Sequence, residues 1–220
     1  MEDSVHTGDI SVWTVFFMKK GIKRVCICLV LAASVWTWAL VGDRKQLNEE
    51  LIRLHVVANS DSEADQAIKL RIRDAVIDSI QKDLAGISDV DAARSYLTEN
   101  LPKIEETVRK ALEKEGIDPK CMVSLCREAY DTRYYDTFAL PAGVYESLRI
   151  VIGEGAGKNW WCVAFPGLCL PKTSGEFEDA AVGAGFSEQL TGTLSGNQSY
   201  EIRFFALDTL GRIQNILFEE

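Results

Sequence analysis

Histidine is nearly missing from this chain: among 220 residues the imidazoles are His6 and His55. A His-rich metal site and a proton relay with several histidines are therefore disfavoured. Positive charge is also short. Lysine and arginine total 24 against 33 aspartates and glutamates, a formal net charge of -9. Such a chain lacks the electrostatic footprint of a nucleic-acid binder. No internal repeat is visible. What remains is ordinary globular material, 47% hydrophobic and 26% charged, of a length that favours one domain with an appendage.

The charge is uneven. Beyond position 42 there are 20 basic and 30 acidic residues, and the one basic cluster abuts the most apolar run. Val25 to Val41 reads VCICLVLAASVWTWALV, 17 residues without a charge, preceded by Lys19, Lys20, Lys23 and Arg24. A basic start, an apolar stretch and a polar exit make an export signal or an N-terminal anchor. Its length is close to the lower bound for spanning a bilayer, about 17–25 residues. The nearest small-x-small cleavage site, Ala39-Leu40-Val41, is poor, so a cleaved signal and a retained anchor both stand. A buried core helix is the third reading, and the missing polar face argues against it. Met18 begins MKKGIKRV, the form of a signal n-region, which makes residues 1–17 an extension, 18–42 the signal or anchor, and 43–220 the extracytoplasmic domain.

Along that domain, Leu51 to Ala58 reads as a strand. Ser62 with Asp65, or equally Ser60 with Glu63, caps a helix that runs to about Leu84, with apolar residues at Ile68, Ile72, Val76 and Ile80. Ser88 and Asp91 can start a second helix, from Asp89 to about Asn100, and a third is expected with Pro102 in its first turn. After Pro119 the texture turns to strands: Cys121–Ala129, Tyr134–Leu140, Ser147–Gly153, Asn159–Phe165 and Tyr200–Leu207. Gly153 to Gly157 is read as a hairpin loop, and residues 172–199 as a loose segment with few core candidates. Helices followed by strands predict an α+β fold, helices packed on a mainly antiparallel sheet.

The run GEGAGK fails as a phosphate loop, which needs glycine at 152 and Ser or Thr at 159, where Ile152 and Asn159 stand. Cys121, Cys126, Cys162 and Cys169 do not match zinc spacing. A turn at Pro166-Gly167 can bring Cys162 and Cys169 to the Cα separation of about 4–7 Å that a disulfide needs, and the alternative is that all four are small buried hydrophobes. Cys121 and Cys126 fall on opposite faces of a strand. A catalytic thiol with His55 as its base has no local signature. Trp160 and Trp161 point to opposite faces of their strand. An outward ring there is a natural partner anchor, while cover by neighbouring loops is the other reading.

The blocks RLHVVANSDSEADQAIKLRIRDAV (Arg53 to Val76) and LPAGVYESLRIVIGEGAGKNWWCVAFPGLCL (Leu140 to Leu170) closely resemble the stage II sporulation protein R family of endospore-forming bacteria. The resemblance covers residues 43–170 and, more weakly, Tyr200–Leu207. The chain departs from the family pattern in its first 17 residues, in Pro166-Gly167 where Pro-Pro is expected, and in its Gly-rich tail. The resemblance implies a ligand and not an enzyme. Such a protein is exported from the forespore into the space between forespore and mother cell. There it activates a membrane-embedded aspartic protease that processes a sigma-factor precursor. No catalytic residue, metal or cofactor is expected. The membrane is met through the N-terminal segment, and nucleic acid is not a partner. Candidate receptor contacts are Arg53, His55, Asn59, Asp61, Lys158, Asn159, Trp160 and Trp161. The rival reading is an exported hydrolase, thiol-based or acting on the cell wall.

Overall fold

The computed structural model describes residues 9–166, 174–196 and 201–219, with side chains over 22–166, 177–196 and 202–218. Two compact units emerge, Met1–Gly42 and Asp43–Glu220. Helix α1, Asp9–Glu49, contributes to both. From Ile22 onward it is long and apolar enough to cross a membrane, with a mean hydropathy of 2.2 in its most apolar window. This is compatible with a signal or an anchor.

The second unit is α+β. After the last turns of α1 come β1 (Ile52–Val57), α2 (Glu63–Leu84), α3 (Val90–Lys114), β2 (Cys121–Tyr130), β3 (Arg133–Tyr134), β4 (Ala139–Leu140), β5 (Gly143–Ile152) and β6 (Asn159–Phe165). Helices α4 (Ser174–Gly183), α5 (Glu188–Leu194) and α6 (Glu201–Glu219) follow. The main sheet has the order β2-β5-β1-β6. β1 runs parallel to β5 and antiparallel to β6, and β2 is antiparallel to β5.

Of the two caps the sequence offers equally for α2, Ser62 is the one used, its hydroxyl accepting the Asp65 N–H at 3.1 Å. Ile68, Ile72, Val76 and Ile80 of this helix meet Leu54, Val56, Leu148 and Ile150 of the sheet, and Leu97, Ile104, Val108 and Leu112 of α3 close the same core. Each fully buried aliphatic side chain of this kind stabilises the fold by about 1.5–3 kcal/mol.

Four expectations give way here. Residues 90–114 form one helix with Pro102 inside it, not two helices. The apolar stripe Ala93, Leu97, Ile104, Val108, Leu112 stays in phase across the proline, and burying it outweighs one lost backbone hydrogen bond. The Asp89 carboxylate, and not Ser88, caps it at the Ala92 N–H. The glycine run is not a hairpin loop, because β1 lies between β5 and β6. It crosses the end of β1, with Gly157 N–H donating to the Ala58 carbonyl at 2.9 Å and Ala156 N–H to that of Asn59 at 3.1 Å. A Cβ at Gly157 would lie 2.3 Å from the Ser60 carbonyl oxygen, so only glycine permits the crossing. Tyr134–Leu140 is a small ribbon, β3 with β4, and not one strand.

The tail departs furthest. Tyr200–Leu207 reads as a strand from its aromatic and branched residues, yet residues from Glu201 form helix α6. Residues 172–199, expected to be loose, include α4 and α5, which bury Phe177, Ala181, Leu190 and Leu194. Phe177 stacks on Phe138 with ring centroids 4.4 Å apart. For α4 and α5, tertiary burial decides against local composition. Phe177→Ala should lower stability by about 3–5 kcal/mol in urea unfolding. A loose tail would show no change.

Candidate functional site

The eight candidate residues fall into two places joined by β1. The first is a latch at the carboxyl end of that strand. Asn59 Nδ2 donates to Asp65 Oδ2 at 2.9 Å, the Ser60 hydroxyl donates to the same oxygen at 2.5 Å, and Asn59 Oδ1 accepts the Glu154 N–H at 3.0 Å. Asp61 Oδ1 accepts the Lys158 N–H at 2.7 Å. Lys69, buried, reaches the Lys158 carbonyl at 2.9 Å and Gln66 Oε1 at 2.6 Å. Burial lowers the Lys69 pKa, against the pull of Asp61. The hydroxyl of Ser60, then the amide of Asn59, holds the Asp65 carboxyl below its usual value. Asn59 and Asp61 therefore fasten the glycine loop to the start of α2. The side chains of Asp61 and Lys158 remain exposed.

The second place is the sheet face opposite α2 and α3. Register puts Ser124, Arg149, His55 and Trp161 in one row across β2, β5, β1 and β6, and Cys126, Ser147, Arg53 and Val163 in the next. β1 is buried along its whole length, so Arg53 and His55 are enclosed. Arg53 lies 4.1 Å from the ring centre of Tyr130 and 5.1 Å from that of Tyr145. It donates from Nη2 to the Tyr135 hydroxyl at 2.7 Å and from Nε to the Cys162 carbonyl at 3.3 Å. Aromatic faces and neutral acceptors thus replace its hydration.

His55 sits in a comparable enclosure. Its Nδ1 lies 3.1 Å from both carboxylate oxygens of Glu128, and Nε2 lies 3.0 Å from Asn159 Oδ1. The ring stacks on Trp161 with centroids 3.6 Å apart. Burial would raise the Glu128 pKa, but the hydrogen bond and charge of His55, with Ser147 and Arg149, hold it below the ordinary value of 4.5. Tyr130 and Ser147 share a hydroxyl–hydroxyl bond of 2.6 Å, and burial pushes the Tyr130 phenol far up.

The two tryptophans do point to opposite faces, and neither ring stands free. Trp160 packs against the helix-side core under Arg73 of α2, whose guanidinium is 4.3 Å from the ring centre. Trp161 is partly covered by His55, Tyr130 and Arg133. Glu128, Tyr130, Tyr135, Tyr145 and Ser147 were not among the candidates. Their signal was present: Glu128-x-Tyr130 and Tyr145-x-Ser147-x-Arg149 put a polar or aromatic residue at every second strand position.

The ring nitrogens of His55 face Glu128 and Asn159. Burial pushes the thiol pKa up at Cys121, helped by Glu105, and at Cys126, helped by Glu128. Cys162 is buried, and Cys169, its expected disulfide partner, lies outside the described residues. Among the described residues no group of three or more His, Cys, Asp or Glu is placed to hold a metal ion. An apolar cavity of about 380 Å³ between the end of α2, β6 and α4 touches none of the eight candidates.

A family model described as Stage II sporulation protein R (spore_II_R) matches residues 48–174. A curated protein of Bacillus subtilis (strain 168), Stage II sporulation protein R, is 36% identical over 165 residues, covering 70% of this chain and 72% of its own length. No solved structure matches.

A carboxyl whose pKa falls on folding adds stability above its unfolded value and loses it as pH drops through the folded value. Glu128→Gln should therefore cost about 1.5–3 kcal/mol at pH 7 in urea unfolding. That difference should shrink as the pH is taken below 4.5, where the native carboxyl also protonates. An equal difference at all pH values would refute the charge-assisted contact.

Proposed function

The chain belongs to the stage II sporulation protein R family, and on that premise we propose that it is an exported sporulation signal that acts by binding. It leaves the forespore behind its apolar N-terminal segment. In the intermembrane space it activates a membrane-embedded aspartic protease, which then processes a mother-cell sigma-factor precursor. The observation that carries this reading is the family match itself. Residues 48–174 hold strands β1–β6 and helices α2 and α3, so the likeness covers a folded domain and not a short motif.

The chemistry of the site supports docking over turnover. Both ring nitrogens of His55 are engaged, and the half-buried thiols have raised pKa values. That speaks against the rival exported thiol hydrolase, which needs a base free to take a proton and a thiolate to attack. Activation needs only a population shift. A ligand that prefers the active arrangement of the protease tenfold does so with about 1.4 kcal/mol of differential affinity.

The candidates then divide by role. Asp61, Lys158 and Asn159 are exposed and form the contact. Asn59 holds the loop that carries Lys158, Trp160 ties β6 to α2, and Arg53, His55 and Trp161 stiffen the strands beneath. Trp161→Ala would remove the ring stacked on His55 and destabilise the fold by about 3–5 kcal/mol. It would therefore test stability and not docking.

The deciding experiment is reconstitution of the purified full chain with the protease in vesicles and the precursor outside. Addition of the chain should switch on precursor cleavage, and no cleavage at any concentration would overturn the proposal. Lys158→Glu, at an exposed side chain, should keep the wild-type melting temperature and raise the half-maximal concentration roughly tenfold. Cleavage of a substrate by the purified chain alone would establish the hydrolase instead.

A further inference from the structure

Helix α6 is built inside out. A surface helix ordinarily buries its apolar stripe and shows its polar side to water. Here Ile202, Phe205, Thr209, Ile213, Ile216 and Leu217 form the outer face, with Ile202 77% and Phe205 72% exposed. Arg212 borders the stripe, and no other charged residue among the described side chains lies on it. The polar side faces the domain. Arg203 pairs with Asp43 at 2.5 Å, Arg44 donates to Gln214 Oε1 at 2.5 Å, Asp208 accepts the Ala142 N–H at 2.8 Å, and Asn215 Nδ2 donates to the Tyr130 carbonyl at 2.8 Å. Gly211 lies so close to the Ala142 carbonyl that a Cβ there would come within 1.7 Å of the oxygen. Rolling the helix to bury its apolar side would break all of these contacts. The exposure is fixed by the fold, and an exposed apolar stripe of this size marks a docking surface.

Two of the residues that clamp α6 are Asp43 and Arg44, the first two after Gly42. The apolar segment of α1 ends at the same point of the chain. We propose that the outer face of α6 lies in the headgroup–acyl boundary of the bilayer that holds the N-terminal segment. The domain is then fastened to the membrane surface at two points instead of swinging from one tether. An interfacial helix needs an apolar face toward lipid and a polar face away from it. In α6 the protein body itself satisfies the polar face. A short tether also raises the effective concentration of the second contact.

A second copy of the chain fits this face less well. A helix of 19 residues is about 28 Å long and about 10 Å wide, on the order of 300 Å² a side. A stable protein contact takes about 800 Å² from each partner. The proposal requires residues 25–41 to remain in the membrane as a span, so its test carries a control for that reading.

The full chain is reconstituted in phosphatidylethanolamine–phosphatidylglycerol vesicles with a photoactivatable diazirine amino acid in place of Ile213, Leu31 or Lys110. Leu31 lies in the apolar segment and Lys110 on the wet side of α3. Lipid adducts are expected from positions 31 and 213, with the yield at 213 at least tenfold above that at 110. Ile213→Asp should cut the lipid adduct from a probe at Ile202 by a similar factor, with the circular-dichroism melt unchanged. Lipid adducts at 31 without any at 213, or a cross-linked dimer from 213, would overturn the role of α6 alone. No adduct at 31 would overturn the anchor reading and this proposal with it.

Discussion

Enclosing a guanidinium and an imidazole in the central strand is the constraint on which the rest of the domain depends. β1 is buried on both sides, so Arg53 and His55 have no water to turn to. A buried charge left unpaired costs several kcal/mol, and the fold answers with partners drawn from every neighbouring element. Tyr130 and Glu128 come from β2, Tyr145 and Ser147 from β5, Trp161 from β6, and Tyr135 from the ribbon. Each partner depends on the register of its own strand. A slip of one residue in any of these strands would turn these side chains to the opposite face and leave Arg53 and His55 without their partners. The polar seam thus fixes the strand order as firmly as the aliphatic core on the other side.

The same constraint explains the glycine run. With β1 between β5 and β6, the connection has to pass over the end of β1 at backbone contact. That requires residues without side chains at the crossing, and the passing amides satisfy the last carbonyls of the strand. Asn59 and Asp61 then bind the loop, and Asp65 binds Asn59, so the crossing and the start of α2 are made by one network. Polar residues near the end of a strand look like a binding site in sequence. Here most of their capacity is spent inside the molecule, and Lys158 and the edge of Asn159 are what the surface retains.

Much of this was legible in advance. α2, the β1, β2, β5 and β6 segments, the apolar N-terminal helix and the α+β class all follow from periodicity and turn chemistry. The failures share a cause. Pro102 looked like a helix start because local propensity does not register that a stripe continues in phase on both sides of it. The glycine loop looked like a hairpin because adjacency in sequence says nothing of a third strand inserted between its ends. α6 looked like a strand because Ile202, Phe204 and Phe205 are strand formers and its apolar residues do not point to a core. Of the site, Trp161 and His55 could be picked out as residue types. Their partners Glu128, Tyr130 and Tyr145 show in the sequence only as an alternation of polar and aromatic residues, and the register is what assigns them to Arg53 and His55.

The seam lies wholly inside the stretch that the family model matches, and α6 lies beyond it. Arg53, His55 and the partners named for them all lie within residues 48–174, so the sheet satisfies these buried polar groups without the tail. What α6 contributes is different in kind. It binds the carbonyl of Tyr130 and the amide of Ala142, backbone groups at the rim of the sheet, and it ties Asp43 and Arg44 to them. A helix added only for stability would bury its isoleucines, which contribute more than hydrogen bonds to backbone at a surface. α6 leaves Ile202, Ile213 and Ile216 in solvent and gives up that gain. A sequence that forgoes so much burial in one helix, while holding its orientation through four polar contacts and a glycine, is organised around something outside the domain.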